Sequence, residues 1–510
     1  MIVCDERHFD MLNRLTAMEE IGGAGQTTFL FDEGGRLTKK SCANGPVTTY
    51  AFDRLDRVTE LSNYRSEGGD LLSRFSYFYD AASRRTAIEV TRSVPDGSGG
   101  EDIVTENLRY GYDGLSRLTS ETRLTESDLK IYEYFWDYDL VGNRTSEVFT
   151  QFDGAGLETG TTTTTYSYSA ADRLLSEVET DGTNTVTTTY TWDANGNMLS
   201  KDVDGELTTY TWDYDDRLIG AELPDGRTVS FEYCDGCSLA KRLKKTILAA
   251  DGTTILSETT YRWDGENIIG EEDEFGNVVD YFVMPFRLMD NVVSMNRDGQ
   301  DYYYLTDAMG SVIQVVDGNG NIVNSYDYNS WGEIRAAQTT ETVSNPFKWQ
   351  TKPWDEEMGL YYSRARYYDG GTGRFVGVDP IWMKRCKLLT DRHRFAWPGL
   401  NPVTFSDPTG RAIGEKCRRH LDCRGNEYDP GNLTLCRDCC DEQLDKVSWR
   451  SLILIFIDLT RDIPIGPREF CYDMCTELNG RGGPEIFDPF VPKEDRLGRP
   501  EWMPEDPEEE

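Results

Sequence analysis

Histidine is nearly missing from this 510-residue chain. It occurs three times, at His8, His393 and His420, and never as an HExxH-type pair. That excludes the helical two-histidine zinc site. No Walker-type loop, no GxGxxG and no nucleophile elbow occur, so phosphate-cradling and serine-hydrolase chemistry lack their carriers. His393, between Arg392 and Arg394, reads as a surface or core-edge residue rather than a base. Basic charge is short as well: 53 Lys and Arg stand against 90 Asp and Glu, a formal charge of −37. A surface this acidic repels nucleic acid and anionic lipid and favours solubility, so no nucleic-acid partner is expected. Long apolar runs are absent. The longest, Leu452-Ile453-Leu454-Ile455-Phe456-Ile457, is far too short to span a bilayer. Met1–Arg7 has no apolar core of signal-peptide length.

What is abundant favours sheet. Aromatics reach 12%, with Tyr the commonest, and Thr and Gly are frequent. A unit recurs along the chain: aromatic-Asp, three or four turn-prone residues, Arg or Asn, then an apolar residue. Copies stand at Phe9-Asp10, Phe31-Asp32, Phe52-Asp53, Tyr79-Asp80, Tyr112-Asp113, Tyr138-Asp139, Trp192-Asp193 and Trp212-Asp213. A degenerate copy sits at Tyr168-Ser169. Successive starts lie 20 to 33 residues apart, the range of repeat architectures. Each copy reads as a β-hairpin in which Asp caps the turn and Gly or Asn supplies the positive φ. One hairpin cannot bury its aromatic face alone, so the copies are expected to stack into a continuous curved sheet. The aromatic-Asp pairs are read as turn and packing elements rather than sugar platforms. The array is already running at Phe9, so the N-terminus reads as incomplete, or export uses another route.

Cys234-Asp235-Gly236-Cys237 interrupts the array. A lone CxxC reads as a hairpin-tip disulfide or two free thiols, since no second CxxC lies at zinc-ligand spacing. The basic run Lys241-Arg242-Leu243-Lys244-Lys245 is expected along one strand, offsetting local charge. Further hairpins follow through Tyr302–Val312, Asp317-Gly318-Asn319-Gly320 and Tyr326–Glu333.

The stretch Gly359-Leu360-Tyr361-Tyr362-Ser363-Arg364-Ala365-Arg366-Tyr367-Tyr368-Asp369 runs on through Gly373–Pro380. A second one, Asn401-Pro402-Val403-Thr404-Phe405-Ser406-Asp407-Pro408-Thr409-Gly410, closes the segment. Together with the repeats they resemble the RHS/YD-repeat proteins and their associated core, over roughly residues 9–410. The resemblance implies a mainly β fold, in which the hairpin array forms a spiralling shell closed by a core plug. In some members the core is an aspartyl autoprotease that releases a variable C-terminal cargo. The implied division is 1–300 for the repeat shell and 301–410 for the core. A Cys-rich helical domain over 411–481 and an acidic, Pro-rich disordered tail over 482–510 complete it.

Two Asp-Pro pairs, Asp379-Pro380 and Asp407-Pro408, carry the chemistry that the residues themselves suggest. Two carboxylates held close in a low-dielectric site cannot both ionise easily, so one serves as acid and the other activates water. A buried Arg366 would orient a carboxylate or stabilise a developing oxyanion. By resemblance, Arg366, Asp379 and Asp407 match the arginine and two aspartates of the family autoprotease, with cleavage near Gly410-Arg411. The chain departs from the family at Arg411, where Leu is common, and at Pro398-Gly399-Leu400, where asparagines are usual. The bland reading of Asp-Pro as a turn start stands beside this.

Seven of the twelve cysteines fall after residue 416. Residues four apart share a helical face. Two antiparallel helices would therefore pair Cys436 with Cys475 and Cys440 with Cys471 in an oxidising compartment. A zinc set of His420, Cys423, Cys436 and Cys439 is the alternative. Expected partners are the chain's own C-terminal segment as cargo, and beyond it a target-cell surface, glycans or an immunity protein. No cofactor and no metal is expected in the core, and the location is expected to be secreted or cell-surface. The competing function is a non-enzymatic adhesion or carbohydrate-binding protein, which YD-repeat arrays also resemble.

Overall fold

Each aromatic-Asp pair opens a tight turn whose bonds are set by the Asp side chain. In the turn from Asp53 to Arg57, the carboxylate accepts the backbone N–H of Leu55 at 2.8 Å and of Arg57 at 3.0 Å. Its other oxygen takes Arg57 Nε at 2.6 Å. Ser169, in the degenerate copy, accepts the equivalent two N–H groups through Oγ, from Ala171 and Arg173. The residue just before the Arg or Asn is left-handed. It is Asn13, Gly35 and Gly142 in some turns, but Asp56, Ser83, Ser116, Asp172 and Asp216 in others. The expectation of Gly or Asn is therefore too narrow. Asp and Ser tolerate positive φ when their short side chain finds a partner. Here the preceding repeat supplies it: Arg36 reaches Asp56 at 2.9 Å, and Arg57 reaches Ser83 at 3.3 Å.

The same arginines tie each turn to the next. Arg14 donates to the Asp32 carbonyl, Arg36 to that of Asp53, Arg57 to that of Asp80 and Arg117 to that of Asp139. Each guanidinium also lies over the next aromatic ring: Arg14 over Phe31, Arg57 over Tyr79, Arg117 over Tyr138. The aromatics then reach back. Tyr138 Oη donates to the Leu118 carbonyl at 2.7 Å, and Trp212 Nε1 to that of Met198 at 2.7 Å. Tyr and Trp are interchangeable at this position because both end in a donor.

The computed structural model describes residues 6–411 apart from 20–24, 44, 96–99, 238–239, 285–290 and 381–392. These residues lie in one compact unit, Met1–Lys416. From Glu6–Phe9 to Thr340–Glu341, 28 described strands form a single sheet. Every strand pairs antiparallel with its neighbour in sequence, as Glu6–Phe9 does with Leu15–Glu19 and Ile322–Ser325 with Thr340–Glu341. The sheet does not break at residue 300, since Gln300–Thr306 pairs with Val292–Arg297. It curls far enough to meet itself. Leu15, Met18, Phe29 and Leu72 share one apolar cluster with Phe282, Val293, Leu305 and Val316. Tyr303 Oη bonds the Ala43 carbonyl, and the Ala308 N–H bonds Tyr77 Oη.

A second, four-stranded sheet comprises Trp354–Asp355, Leu360–Ser363, Arg366–Asp369 and Arg374–Phe375. Its two longer strands are buried at every position. Alternation explains how: the long sheet covers both faces. Tyr361, Tyr368 and Phe375 pack with Leu118, Tyr134 and Trp136. Leu360, Tyr362 and Tyr367 pack with Leu174, Tyr190, Leu218 and Phe231. Charged struts join the two sheets, among them Lys201 to Asp369 and both Arg242 and Lys245 to Asp355.

From Arg242 onward the basic run lies along one strand, Arg242–Leu248, with Lys241 just before it. Only part of it offsets surface charge, as Lys244 does against Glu258 at 2.7 Å. Arg242 and Lys245 turn inward to the small sheet instead. Cys234 and Cys237 are joined as a disulfide with Cα atoms 5.7 Å apart. The Cys-rich helical domain, its Cys436, Cys440, Cys471 and Cys475 pairing, its zinc alternative and the acidic tail lie outside the described residues.

Candidate active site

The strands Leu360–Ser363 and Arg366–Asp369 form a tight hairpin that sets Ser363 opposite Arg366. Arg366 therefore projects on the same face as Tyr368, at the hairpin end, where its guanidinium lies 3.5 Å from the centroid of the Phe375 ring. Asp379 follows the strand Arg374–Phe375, and its N–H bonds the Arg394 carbonyl at 2.9 Å. Proline after each Asp disfavours helical backbone at both sites.

The structure brings Arg366, Asp379 and Asp407 together. Arg366 Nη2 lies 3.0 Å from Asp379 Oδ2 and 3.0 Å from Asp407 Oδ2. Exposure is 3% for Arg366, 8% for Asp379 and 0% for Asp407. Charges this deeply buried need partners, because desolvation costs several kcal/mol per ion. A single nitrogen serving two carboxylates satisfies that need and holds the pair close.

The Gly410-Arg411 peptide enters the same cluster. Arg366 Nε donates to the Gly410 carbonyl oxygen. The Arg411 N–H donates to Asp407 Oδ1 at 3.0 Å and to Thr409 Oγ1 at 3.2 Å. The Ala365 N–H bonds the Thr409 carbonyl at 3.1 Å, pinning this segment to the hairpin turn. Gly410 has φ +66°, and a Cβ there would sit 2.1 Å from the Ser363 carbonyl oxygen. No side chain fits that position without moving the hairpin.

One peptide bond thus has its carbonyl on a guanidinium and its nitrogen on a carboxylate. A donor on the carbonyl oxygen stabilises the oxyanion that forms on attack. A carboxyl beside the nitrogen stands where a leaving amine takes up a proton.

Two residues at the site escaped sequence reasoning. Lys352 Nζ donates to the Asp407 carbonyl oxygen and to Ser363 Oγ, the latter at 2.8 Å. Ser363 Oγ also donates to that carbonyl at 3.1 Å. Ser363 lay inside the motif already singled out, but nothing marked its hydroxyl. Lys352 lies outside it and is 5% exposed, which sequence does not show.

His393 is not a surface or core-edge residue. It is buried, with Nε2 2.6 Å from Asn143 Oδ1, and its Nδ1 accepts the N–H groups of Phe395 and Ala396. Burial, with Arg374 and Arg394 nearby, holds its pKa well below the usual imidazole value. It is a neutral structural ligand of the Asn143 turn. Among the described residues, no group of three or more His, Cys, Asp or Glu is arranged to hold a metal ion.

Comparison with known proteins bears on these features. The family model "Teneurin YD-shell" matches residues 286–394 and "RHS Repeat" matches residues 192–228. The tRNA nuclease WapA of Bacillus subtilis (strain 168) is 30% identical over 405 residues, 79% of this chain and 15% of that protein. Double-stranded DNA deaminase toxin A of Burkholderia cenocepacia (strain H111) is 26% identical over 455 residues, 75% of this chain and 30% of that protein. The chain therefore spans well under half the length of these curated relatives. The crystal structure of TcdB2-TccC3-Cdc42 aligns with a TM-score of 0.45 at 16% identity, covering 77% of this chain and 22% of that one. Aromatic-Asp hairpins chained turn to turn, with both family models falling on the array and its closing segment, place the chain among the RHS/YD-repeat proteins.

Proposed function

We propose that this chain is the shell-and-core part of a polymorphic-toxin-type protein, and that it cuts itself between Gly410 and Arg411. The long sheet serves as the wall, built by residues 1–300 and by the strands that continue it to Glu341, and the rest of the core, to residue 410, closes it as a plug. The segment beyond residue 410 is carried as cargo. Relatives named for a tRNA nuclease and a DNA deaminase toxin support the toxin reading. The same reading puts the protein outside the cell or on its surface. Among the described residues no helix is long and apolar enough to cross a membrane.

The observation that carries the cleavage reading is the grip on one peptide bond: Arg366 on the Gly410 carbonyl and Asp407 on the Arg411 nitrogen. With one proton shared between the two carboxylates, Asp379 takes a proton from water as its oxygen adds to the Gly410 carbonyl carbon. Arg366 stabilises the oxyanion. The C–N bond then breaks as Asp407 gives a proton to the Arg411 nitrogen, leaving the Gly410 carboxyl and a new amine. The scissile bond is already in place, so the entropic part of the barrier is largely removed.

The adhesion or carbohydrate-binding alternative rests on the resemblance of YD-repeat arrays to such proteins, and a sugar platform would need aromatic rings free of packing partners. Tyr79, Tyr112 and Tyr138 instead lie beneath the arginines of the preceding turns. The test is the mass of the denatured wild-type chain. Fragments divided after Gly410 support the reading, and an intact chain removes the enzyme and leaves the shell.

A further inference from the structure

We infer that Lys352 and Ser363 are positioning residues for the self-cleavage, an inference that rests on the protease reading above. The two converge on one atom. Lys352 Nζ and Ser363 Oγ both donate to the Asp407 carbonyl oxygen, and Lys352 Nζ also donates to Ser363 Oγ at 2.8 Å. Asp407 is therefore fixed at both ends. Its side chain is held by Arg366 and the Arg411 N–H, and its main chain by Lys352 and Ser363. The three-residue span from Asp407 to Gly410 is too short to absorb a shift of that carbonyl, so the clamp sets where the carboxyl stands relative to the scissile nitrogen.

Two observations set Lys352 apart from a packing residue. First, a buried ammonium is expensive to keep where a Met or Leu would fill the same space. Lys352 is 5% exposed, and its ammonium lies 5.5 Å from the Trp397 ring centroid. With Arg366 it brings a second cation to the cluster that holds Asp379 and Asp407. Second, the backbone that presents it is strained. Gln350 and Thr351, immediately before it, are both left-handed, with φ +49° and +50°. For a β-branched residue such as Thr that conformation is an outlier, and such strain collects at functional sites. The turn is held in that shape from both sides, by Gln350 N–H to Ser311 Oγ and Gln350 Nε2 to the Pro402 carbonyl.

The experiment follows the first-order rate of self-cleavage of the full chain after synthesis in a cell-free system, alongside melting temperature. Lys352→Met is expected to slow cutting by ~10-fold or more, as expected when a charged hydrogen bond is lost from a positioned group. Lys352→Arg keeps a cation and donors, and is expected to return the rate to within about 3-fold of wild type, a difference under 1 kcal/mol. Ser363→Ala removes only a hydroxyl and is the second variant should Lys352→Met fail to fold; it is expected to slow cutting without lowering the melting temperature. Wild-type rates in both Lys352→Met and Ser363→Ala overturn the inference alone. So does equal loss in the Met and Arg variants in step with their melting temperatures, the behaviour of a residue that only packs. A wild-type chain that never cuts brings down the protease reading, and the inference with it.

Discussion

The backbone nitrogen of Arg411 lies 3.0 Å from Asp407 Oδ1, four residues earlier in the chain. The contact is made by the main chain, so it does not depend on which side chain stands at 411. Arg411→Leu, the residue common in the family, is therefore expected to cut at about the wild-type rate. Arg411→Pro removes the N–H and is expected to slow cutting by ~10-fold or more, about the worth of one charge-assisted hydrogen bond. Fragment yield on denaturing gels checks both. A chain that cuts only as Arg411→Leu makes the Arg411 side chain the block.

Arg366 holds two buried carboxylates and one carbonyl. Arg366→Ala leaves Asp379 and Asp407 facing each other without it, a change expected to destabilise by about 3–5 kcal/mol. Arg366→Lys retains a charge but not the forked geometry, and is expected to recover stability in part and cutting hardly at all. Urea unfolding and the cleavage assay separate the two effects.

How much of this was legible in the sequence depends on the range of the interaction. Asp53 to Arg57 is four residues, so the hairpin turn and its Asp cap could be read directly. Arg366, Asp379 and Asp407 were readable only because their motif resembles a family; spacing alone does not bring residues 28 apart onto one guanidinium. Arg57 reaching the Asp80 carbonyl is a repeat-to-repeat contact, invisible until the hairpins are stacked. The same holds for Asp56 and Ser83, whose positive φ depends on an arginine from the preceding turn. Lys352 and His393 were missed for one reason: burial of a polar residue leaves no local mark.

The reach-back of the aromatics gives a stability prediction. Tyr138→Phe removes the bond from Oη to the Leu118 carbonyl while keeping the ring under Arg117. The expected cost is about 1 kcal/mol, plus exposure of an unpaired carbonyl. Tyr138→Trp, which restores a donor as Trp192 and Trp212 do in their repeats, is expected to be the milder change. Thermal melting of the three chains decides this.

Glu333 supplies the pH dependence. Burial, with Glu147 and Asp369 nearby, pushes its carboxyl up to about 7 from 4.5. A carboxyl raised on folding stabilises fully below its unfolded pKa, and that contribution is lost as pH rises through the folded value. Glu333→Gln is therefore expected to melt higher than wild type at pH 8 and to show no such gain at pH 4.5. A gain that is equal at both values would assign the effect to packing instead.

The most direct test is a time course of self-cleavage on freshly synthesised full-length chain, with no added protease, at two protein concentrations. The account predicts a single cut after Gly410 whose first-order rate is unchanged by dilution. It also predicts that Asp379→Asn and Asp407→Asn remain whole while melting as folded proteins. A wild-type chain that stays intact under these conditions, or a rate that falls with dilution, would contradict it.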